Sequence, residues 1–155
     1  MRHIYCDGAC QPNPGWMGVG VYIKTGARVE FAYSSSHGMG TNQQAELIAL
    51  IKAIEKARDG DHIFTDSQYA IGILNGWKAK VNRELALQLR TVVKTKDVKI
   101  SWVHGHNGNA GNDRADALAN ESAKPPEINA GEPGRRNPAP SLKSTPNREK
   151  DRAPL

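Results

Sequence analysis

Residues 41–57 constrain the fold more than any other stretch, because their apolar side chains repeat at the period of a helix that is buried on one side. At about 100° per residue, five of them share one arc: Leu47, Leu50, Ile51, Ile54 and Ala57. Lys52, Glu55 and Lys56 take the opposite face. A helix with this pattern buries its apolar face against another layer, so the chain is expected to form a layered domain.

Glu46 interrupts this pattern, because it falls inside the edge of the apolar arc. A carboxylate at the edge of a core loses hydration, which is costly unless a partner compensates. Two interpretations stay open at this point. Either Glu46 reaches solvent or a lysine, or it binds a metal ion.

The order of the remaining elements follows from local patterns of apolar residues and turn residues. Short alternating or apolar runs predict strands, and apolar residues at helical spacing predict helices. Strands are predicted at 3–7, 16–25, 27–36, 62–66 and 97–105, and helices at 67–77, at 83–95 and from Asn112 onward. With the helix that Thr41 opens, the order is β-β-β-α-β-α-α-β-α. This order predicts an α/β fold, with a five-stranded mixed sheet flanked by helices.

The distribution of proline divides the chain into two parts. Seven of the nine prolines follow residue 124, where no apolar periodicity continues. We therefore expect one domain at 1–124 and a Pro-rich, disordered tail at 125–155. The net charge of +5 suits a polyanionic partner but is too small to establish one.

Cys6 and Cys10 are the only cysteines, and a single C-x-x-x-C pair is not a structural zinc pattern. Free thiols in a reducing compartment are the expectation. No N-terminal apolar run or apolar stretch of membrane length occurs in the sequence, which favours a cytoplasmic protein without membrane contact.

Three aspartates resemble Glu46 in their placement. Asp7 and Asp66 each end a predicted strand, and Asp116 lies one turn into the last predicted helix. Singly, they could be a turn former, a helix cap and a favourable first-turn charge. If the two strands are adjacent, however, their acids meet at one edge of the sheet. Four converging carboxylates would repel unless cations lay among them, and oxygen ligands select Mg²⁺ or Mn²⁺.

Four segments carry a resemblance to a known family. "YCDGACQPNPG", "TNQQAEL", "TDSQYAI" and "WVHGHNGNAGNDRADALA" are similar, in this order, to the motifs of type 1 ribonucleases H, which cleave the RNA strand of RNA/DNA hybrids. The similarity runs from about residue 3 to residue 123. It implies a ribonuclease H-like fold for the predicted domain, and a monomer that needs no protein partner.

The resemblance also implies a reaction and its catalytic residues. Asp7, Glu46, Asp66 and Asp116 would bind two Mg²⁺ ions, for which Mn²⁺ would substitute, and the products would carry 5′-phosphate and 3′-hydroxyl ends. His106, in a glycine-rich loop ten residues before Asp116, would assist proton transfer or product release.

Substrate contacts are implied by similarity at eight positions. The RNA strand, which the 2′-hydroxyl distinguishes from DNA, would contact Asn13, Asn42, Gln43 and the backbone near Cys10 and Gln68. A phosphate of the DNA strand would bind Thr41 and Asn82, and a DNA sugar would contact Trp77.

The chain departs from the family pattern at two positions. Some members have an arginine where this chain has Met39, and many have a basic protrusion where only Lys78–Lys80 stand here. Both differences remove positive charge, so hybrid binding is expected to be weaker and more sensitive to salt than in members with the protrusion.

Three other functions are compatible with parts of the sequence. A non-catalytic binding module conflicts with the presence of all four acids. A resolvase or integrase-like nuclease would use similar acids, but this function would not account for "TNQQAEL" and the histidine loop. A glycosidase would use two carboxylates rather than four.

Overall fold

The computed structural model describes residues 1–105 and 108–126, and within them five strands and four α-helices follow the predicted order. A short 3₁₀ turn at Val93–Thr95 continues the third helix. The elements are β1 (Arg2–Gln11), β2 (Gly15–Thr25), β3 (Arg28–Gly40), α1 (Asn42–Lys56), β4 (His62–Thr65), α2 (Gln68–Leu74), α3 (Arg83–Val92), β5 (Lys99–Trp102) and α4 (Ala110–Ser122).

The strands form one mixed sheet in the order β3-β2-β1-β4-β5. β1 pairs antiparallel with β2 and parallel with β4, while β2–β3 is antiparallel and β4–β5 is parallel. This confirms the predicted α/β class and the five-stranded mixed sheet. It also confirms that the strands ending near Asp7 and Asp66 are neighbours.

Helix α1 covers one face of the sheet with the apolar arc that the sequence predicts. Leu47, Leu50 and Ile54 are fully buried and share one core with residues of β1, β2 and β4. The helix begins with a capping box at Thr41 and Gln44, in which each side chain accepts a hydrogen bond from the other residue's backbone N–H.

Helix α4 packs against β1, β2 and β3 on the opposite face. It lies so close to β2 that a Cβ on Gly18 would stand 2.1 Å from the carbonyl oxygen of Ala119, and one on Gly20 would stand 2.3 Å from that of Ala115. One side of α4, made mostly of small residues, is the contact surface, since Ala115, Leu118, Ala119 and Ser122 are all buried.

Three strands differ from the prediction by two residues or more, since β5 covers only Lys99–Trp102 of the predicted 97–105 while β1 and β3 are longer than predicted. β1 continues past Asp7 to Gln11, because β2 pairs with it as far as the Gln11–Trp16 register. β3 continues past Ser36 to Gly40, where it pairs with Gly15 across a bulge. Both extensions depend on pairing with a distant partner, which local patterns do not report.

Two helix boundaries also differ. α2 ends at Leu74 rather than at residue 77, because Gly76 has a φ of +97° and the backbone N–H of Trp77 bonds back to the carbonyl of Gly72. α4 begins at Ala110 rather than at Asn112, because the Asn109 side chain caps it by accepting from the N–H of Asn112. The predicted tail lies, from residue 127 onward, outside the described residues.

Candidate active site

The register of β1 and β4 brings two of the predicted acids side by side. Parallel pairing ends with Cys6 opposite Thr65, and the next residues along the two strands are Asp7 and Asp66. Asp7 therefore lies inside β1, not at its end as predicted. It nevertheless lies where the β1–β4 pairing stops, so the expected meeting of the two acids is found.

Glu46 lies on the first turn and a half of α1, beside these aspartates. α1 approaches β1 so closely that a Cβ on Gly8 would lie 2.3 Å from the backbone of Ala45. The Ser67 hydroxyl donates to Glu46 Oε1 at 2.7 Å, and the Asn42 amide donates to Oε2 at 3.1 Å. Among the described residues the partners of Glu46 are these two donors, so the lysine pairing considered from the sequence is wrong.

Asp116 reaches the same place from α4. It is the seventh residue of that helix, nearly two turns from the start rather than one, because α4 begins at Ala110. The helix dipole consequently favours its charge less than the sequence indicated. What positions Asp116 is the close approach of α4 to β2 at Gly20.

The charge state of Asp7 reflects this crowding. Burial, together with the neighbouring carboxylates of Asp66 and Asp116, raises the pKa of Asp7 to about 9. Burial also raises the pKa of Glu46, although the hydrogen bonds from Ser67 and Asn42 oppose the change. Without a cation the site therefore retains a proton at neutral pH.

All four predicted acids line one open cleft. Its other walls are Gly8, Ala9, Cys10, Gln11, Pro12, Asn42 and Asn120. In the part of the chain that the structure describes, no three His, Cys, Asp or Glu side chains form a closed metal site as they stand. The donors nevertheless fit a hard divalent cation, because all four are carboxylates and Asp66 and Asp116 disfavour the ionised form of Asp7, a repulsion that a cation would relieve.

Two polar side chains that support the acids were not predicted from the sequence. Ser67 is buried, caps α2 through the N–H of Ala70, and also bonds Glu46. Asn112 is 1% exposed, and its amide donates to Asp66 Oδ2 at 3.3 Å. Ser67 could have been identified from the sequence as a helix cap, because it directly follows Asp66 at the start of the predicted helix. No local pattern in the sequence connects Asn112 with Asp66.

A second pocket joins the cleft at Asn42, which lines both. Five of the eight predicted substrate-binding residues line this second pocket: Asn13, Thr41, Asn42, Gln43 and Asn82. The Asn13 side chain accepts from the N–H of Asn42 at 3.0 Å. Asn82 is buried, and its amide donates to the hydroxyl of Tyr69.

The remaining predicted contacts lie elsewhere. Cys10 lines the acidic cleft, with its thiol directed at the carbonyl of Gly40. Gln68 is exposed at the start of α2, and Trp77 is 56% exposed with its ring against Gly72. These last two line neither pocket. His106 lies outside the described residues.

Comparison with known proteins gives a consistent result. The family model for RNase H matches residues 2–124. A ribonuclease H of Ruthia magnifica is 40% identical over 134 residues, which are 76% of this chain and 91% of that protein. A ribonuclease H of Polynucleobacter asymbioticus is 36% identical over 137 residues, covering 78% and 88%.

Solved structures agree with the sequence relatives. RNase H1 of the halophilic archaeon Halobacterium salinarum has a TM-score of 0.67 at 32% identity, over 78% of this chain and 96% of that one. LC11-RNase H1, solved in complex with an RNA/DNA hybrid, has a TM-score of 0.68 at 24% identity and shows the shared fold, over 79% and 96%. The chain belongs to the ribonuclease H family, in its type 1 form.

Proposed function

We propose that the protein is an endoribonuclease that hydrolyses the RNA strand of RNA/DNA hybrids and leaves 5′-phosphate and 3′-hydroxyl ends. The observation that carries this proposal is the cleft lined by Asp7, Glu46, Asp66 and Asp116 in a chain of this family. The RNA/DNA hybrid bound to LC11-RNase H1 supports the substrate class.

The four carboxylates would hold two Mg²⁺ ions, with Mn²⁺ as a substitute. Bound divalent ions activate the attacking water and stabilise the leaving oxygen in such hydrolysis. The role of the chain is to hold the carboxylates in place and to orient them. Ser67 and Asn42 fix both oxygens of Glu46, and Asn112 fixes one oxygen of Asp66.

The second pocket would bind the two strands on either side of Asn42. Asn13, Asn42 and Gln43 would contact the 2′-hydroxyl side of the RNA strand, together with the backbone near Cys10 and Gln68. Thr41 and Asn82, which line the same pocket, would hold a phosphate of the DNA strand. Trp77, with more than half of its surface exposed, would contact a DNA sugar.

His106 would assist proton transfer or product release, in line with its family position. We further propose that residues 1–124 form the catalytic domain, that residues 125–155 are a tail without a required role, and that the protein is a cytoplasmic monomer. None of the helices within residues 1–105 and 108–126 contains an apolar stretch of membrane-spanning length.

The test is a panel of labelled substrates, incubated with Mg²⁺, with Mn²⁺ and with a chelator. We expect cleavage of the RNA strand in the hybrid alone, abolished by the chelator, with products that a ligase requiring 5′-phosphate accepts. Equal cleavage of duplex DNA would indicate a resolvase-like nuclease. Activity in the chelator, or hybrid binding without cleavage in either metal, would contradict the proposal.

A further inference from the structure

One face of the sheet carries two rows of residues that the candidate active site does not use. Strand pairing places Lys24 opposite His3, His3 opposite His62, and His62 opposite Lys99. Directly paired residues point to the same face, so these four side chains form one line across β2, β1, β4 and β5. We call this line the basic row. At about 4.8 Å per strand it spans about 14 Å.

A second line, the aromatic row, lies one step closer to the acids. Tyr22 pairs with Tyr5, Tyr5 with Phe64, and Phe64 with Ser101. The rings of Tyr5 and Phe64 stack with their centroids 5.0 Å apart, and those of Phe64 and His62 stack at 4.0 Å. The stacked rings therefore connect the aromatic row with the basic row.

Both rows lie on the face opposite α1, and the described helices leave most of it open. α4 lies on this face but packs against β1, β2 and β3, with its first turn reaching Tyr5 at Gly111. Phe64 and His62 on β4 are half-exposed, and Lys99 on β5 is exposed. Apart from Tyr5, which is buried, the rows are thus accessible within the described part of the chain.

The chemistry of the two rows selects one kind of partner. A line with Lys24 and Lys99 at its ends and two histidines between them, beside a line of aromatic rings, suits a chain that repeats a phosphate and a stackable base, which is single-stranded nucleic acid. A duplex offers its phosphates but keeps its base faces stacked inside. Asp7 and Asp66 follow the aromatic row along the same two strands, so the two rows border the acidic cleft.

We propose that this face binds single-stranded nucleic acid, with phosphates along the basic row and bases against the aromatic row. The site is separate from the cleft that would cleave the hybrid, and its existence does not depend on cleavage. Its position on β1 and β4 makes it continuous with the acidic cleft, so a single strand bound here would lead toward that cleft.

The test measures binding of an oligothymidylate by the full chain as a function of salt, for wild type and for Lys24→Ala/Lys99→Ala. Each lost phosphate contact makes the slope of log K against log salt shallower by about 0.7, so the double variant's slope is expected to be shallower by about 1.4. Lys94→Ala, which removes an exposed lysine outside the rows, is the matched control and keeps the wild-type slope. A double-variant slope equal to the control's would overturn the proposal.

Two further measurements separate this site from general charge attraction. Replacing the oligothymidylate by an abasic strand of equal length is expected to weaken wild-type binding at least about fivefold, because base stacking is lost. Hybrid cleavage by the double variant is expected to match wild type. Equal binding of the abasic strand, or a parallel loss of hybrid cleavage, would contradict a separate single-strand site.

Discussion

Asp7 shows how one buried side chain can oppose stability while serving a site. Its pKa is raised to about 9 by burial and by two neighbouring carboxylates. Between the ordinary aspartate pKa of about 3.9 and that value, the folded chain holds a proton that the unfolded chain releases. The contribution of Asp7 to stability therefore falls as pH rises through this window and is highest below the window.

The substitution Asp7→Asn should reverse this cost. In chelator at pH 7 we expect the variant to be more stable than wild type by about 1–3 kcal/mol and therefore to unfold at a higher temperature. This gap in stability between the variant and wild type should close toward pH 4. Thermal unfolding across this pH range measures it. A gap that is constant with pH would show that Asp7 is ionised in the folded chain without a metal.

Ser67 links the fold to the site, because one hydroxyl caps α2 and bonds Glu46. Ser67→Ala should cost about 1 kcal/mol of stability through the lost cap. It should also raise the pKa of Glu46, since the hydrogen bond from Ser67 lowers it. The acidic limb of the pH profile for hybrid cleavage should consequently move to higher pH.

Ser67→Thr keeps the hydroxyl and is the matched control. It should restore both the stability and the pH profile. A Ser67→Ala variant that loses stability but keeps the wild-type profile would limit Ser67 to helix capping.

At the scale of elements, the position of α4 depends on glycines of β2. A methyl group at Gly20 would meet the carbonyl oxygen of Ala115 at 2.3 Å, and backbone cannot swing aside as a side chain can. Gly20→Ala should therefore push α4 outward and cost about 1–3 kcal/mol. Since Asp116 follows Ala115, hybrid cleavage should fall more than stability alone explains.

Ala117→Ser, on the exposed side of α4, should change neither quantity and controls for an altered helix. Denaturant unfolding and cleavage rates measured together decide the matter. Full activity in a destabilised but folded Gly20→Ala chain would show that the α4–β2 distance does not control the site.

The elements also show how much of the fold could be predicted from the sequence. The amphipathic pattern of α1 and the order of strands and helices could be predicted because they depend on local periodicity. The ends of β1 and β3 could not, because they depend on which distant strand pairs with them. The start of α4 two residues before Asn112 could not be predicted either, because it depends on the hydrogen bond from the N–H of Asn112 to the Asn109 side chain.

The candidate site divides in the same way. Asp7 and Asp66 could be predicted as neighbours because parallel strands align their ends. Glu46 could be singled out as a candidate site residue because it interrupts the apolar arc of α1. The supporting hydrogen bond from Asn112 to Asp66 joins residues 46 positions apart. No local pattern predicts such a contact, so it becomes visible only in the folded chain.

At the scale of the whole molecule, the net charge of +5 is small for a chain proposed to bind a polyanionic hybrid. Met39 is 63% exposed and lies two residues before Thr41. Met39→Arg should add a cation beside the proposed DNA phosphate, and so lower KM for the hybrid while kcat changes little. The gain should shrink as salt rises.

Leu87→Arg adds the same charge at an exposed position on α3 and is the matched control. Steady-state kinetics at two salt concentrations distinguish the two variants. Equal effects of Met39→Arg and Leu87→Arg would mean that net charge, and not a phosphate site near Thr41, controls hybrid affinity.

The most direct test of the central claim compares hybrid cleavage in Mg²⁺ by wild type, Asp7→Asn and Asp113→Asn. Asp113 is an exposed acid in the first turn of α4 and changes the same charge outside the cleft. We expect wild type and Asp113→Asn to cleave the RNA strand at similar rates, and Asp7→Asn to be slower by at least about a hundredfold, since metal-bound charge stabilisation contributes several kcal/mol. Comparable cleavage by Asp7→Asn, or none by wild type, would contradict the proposed role of the four acids.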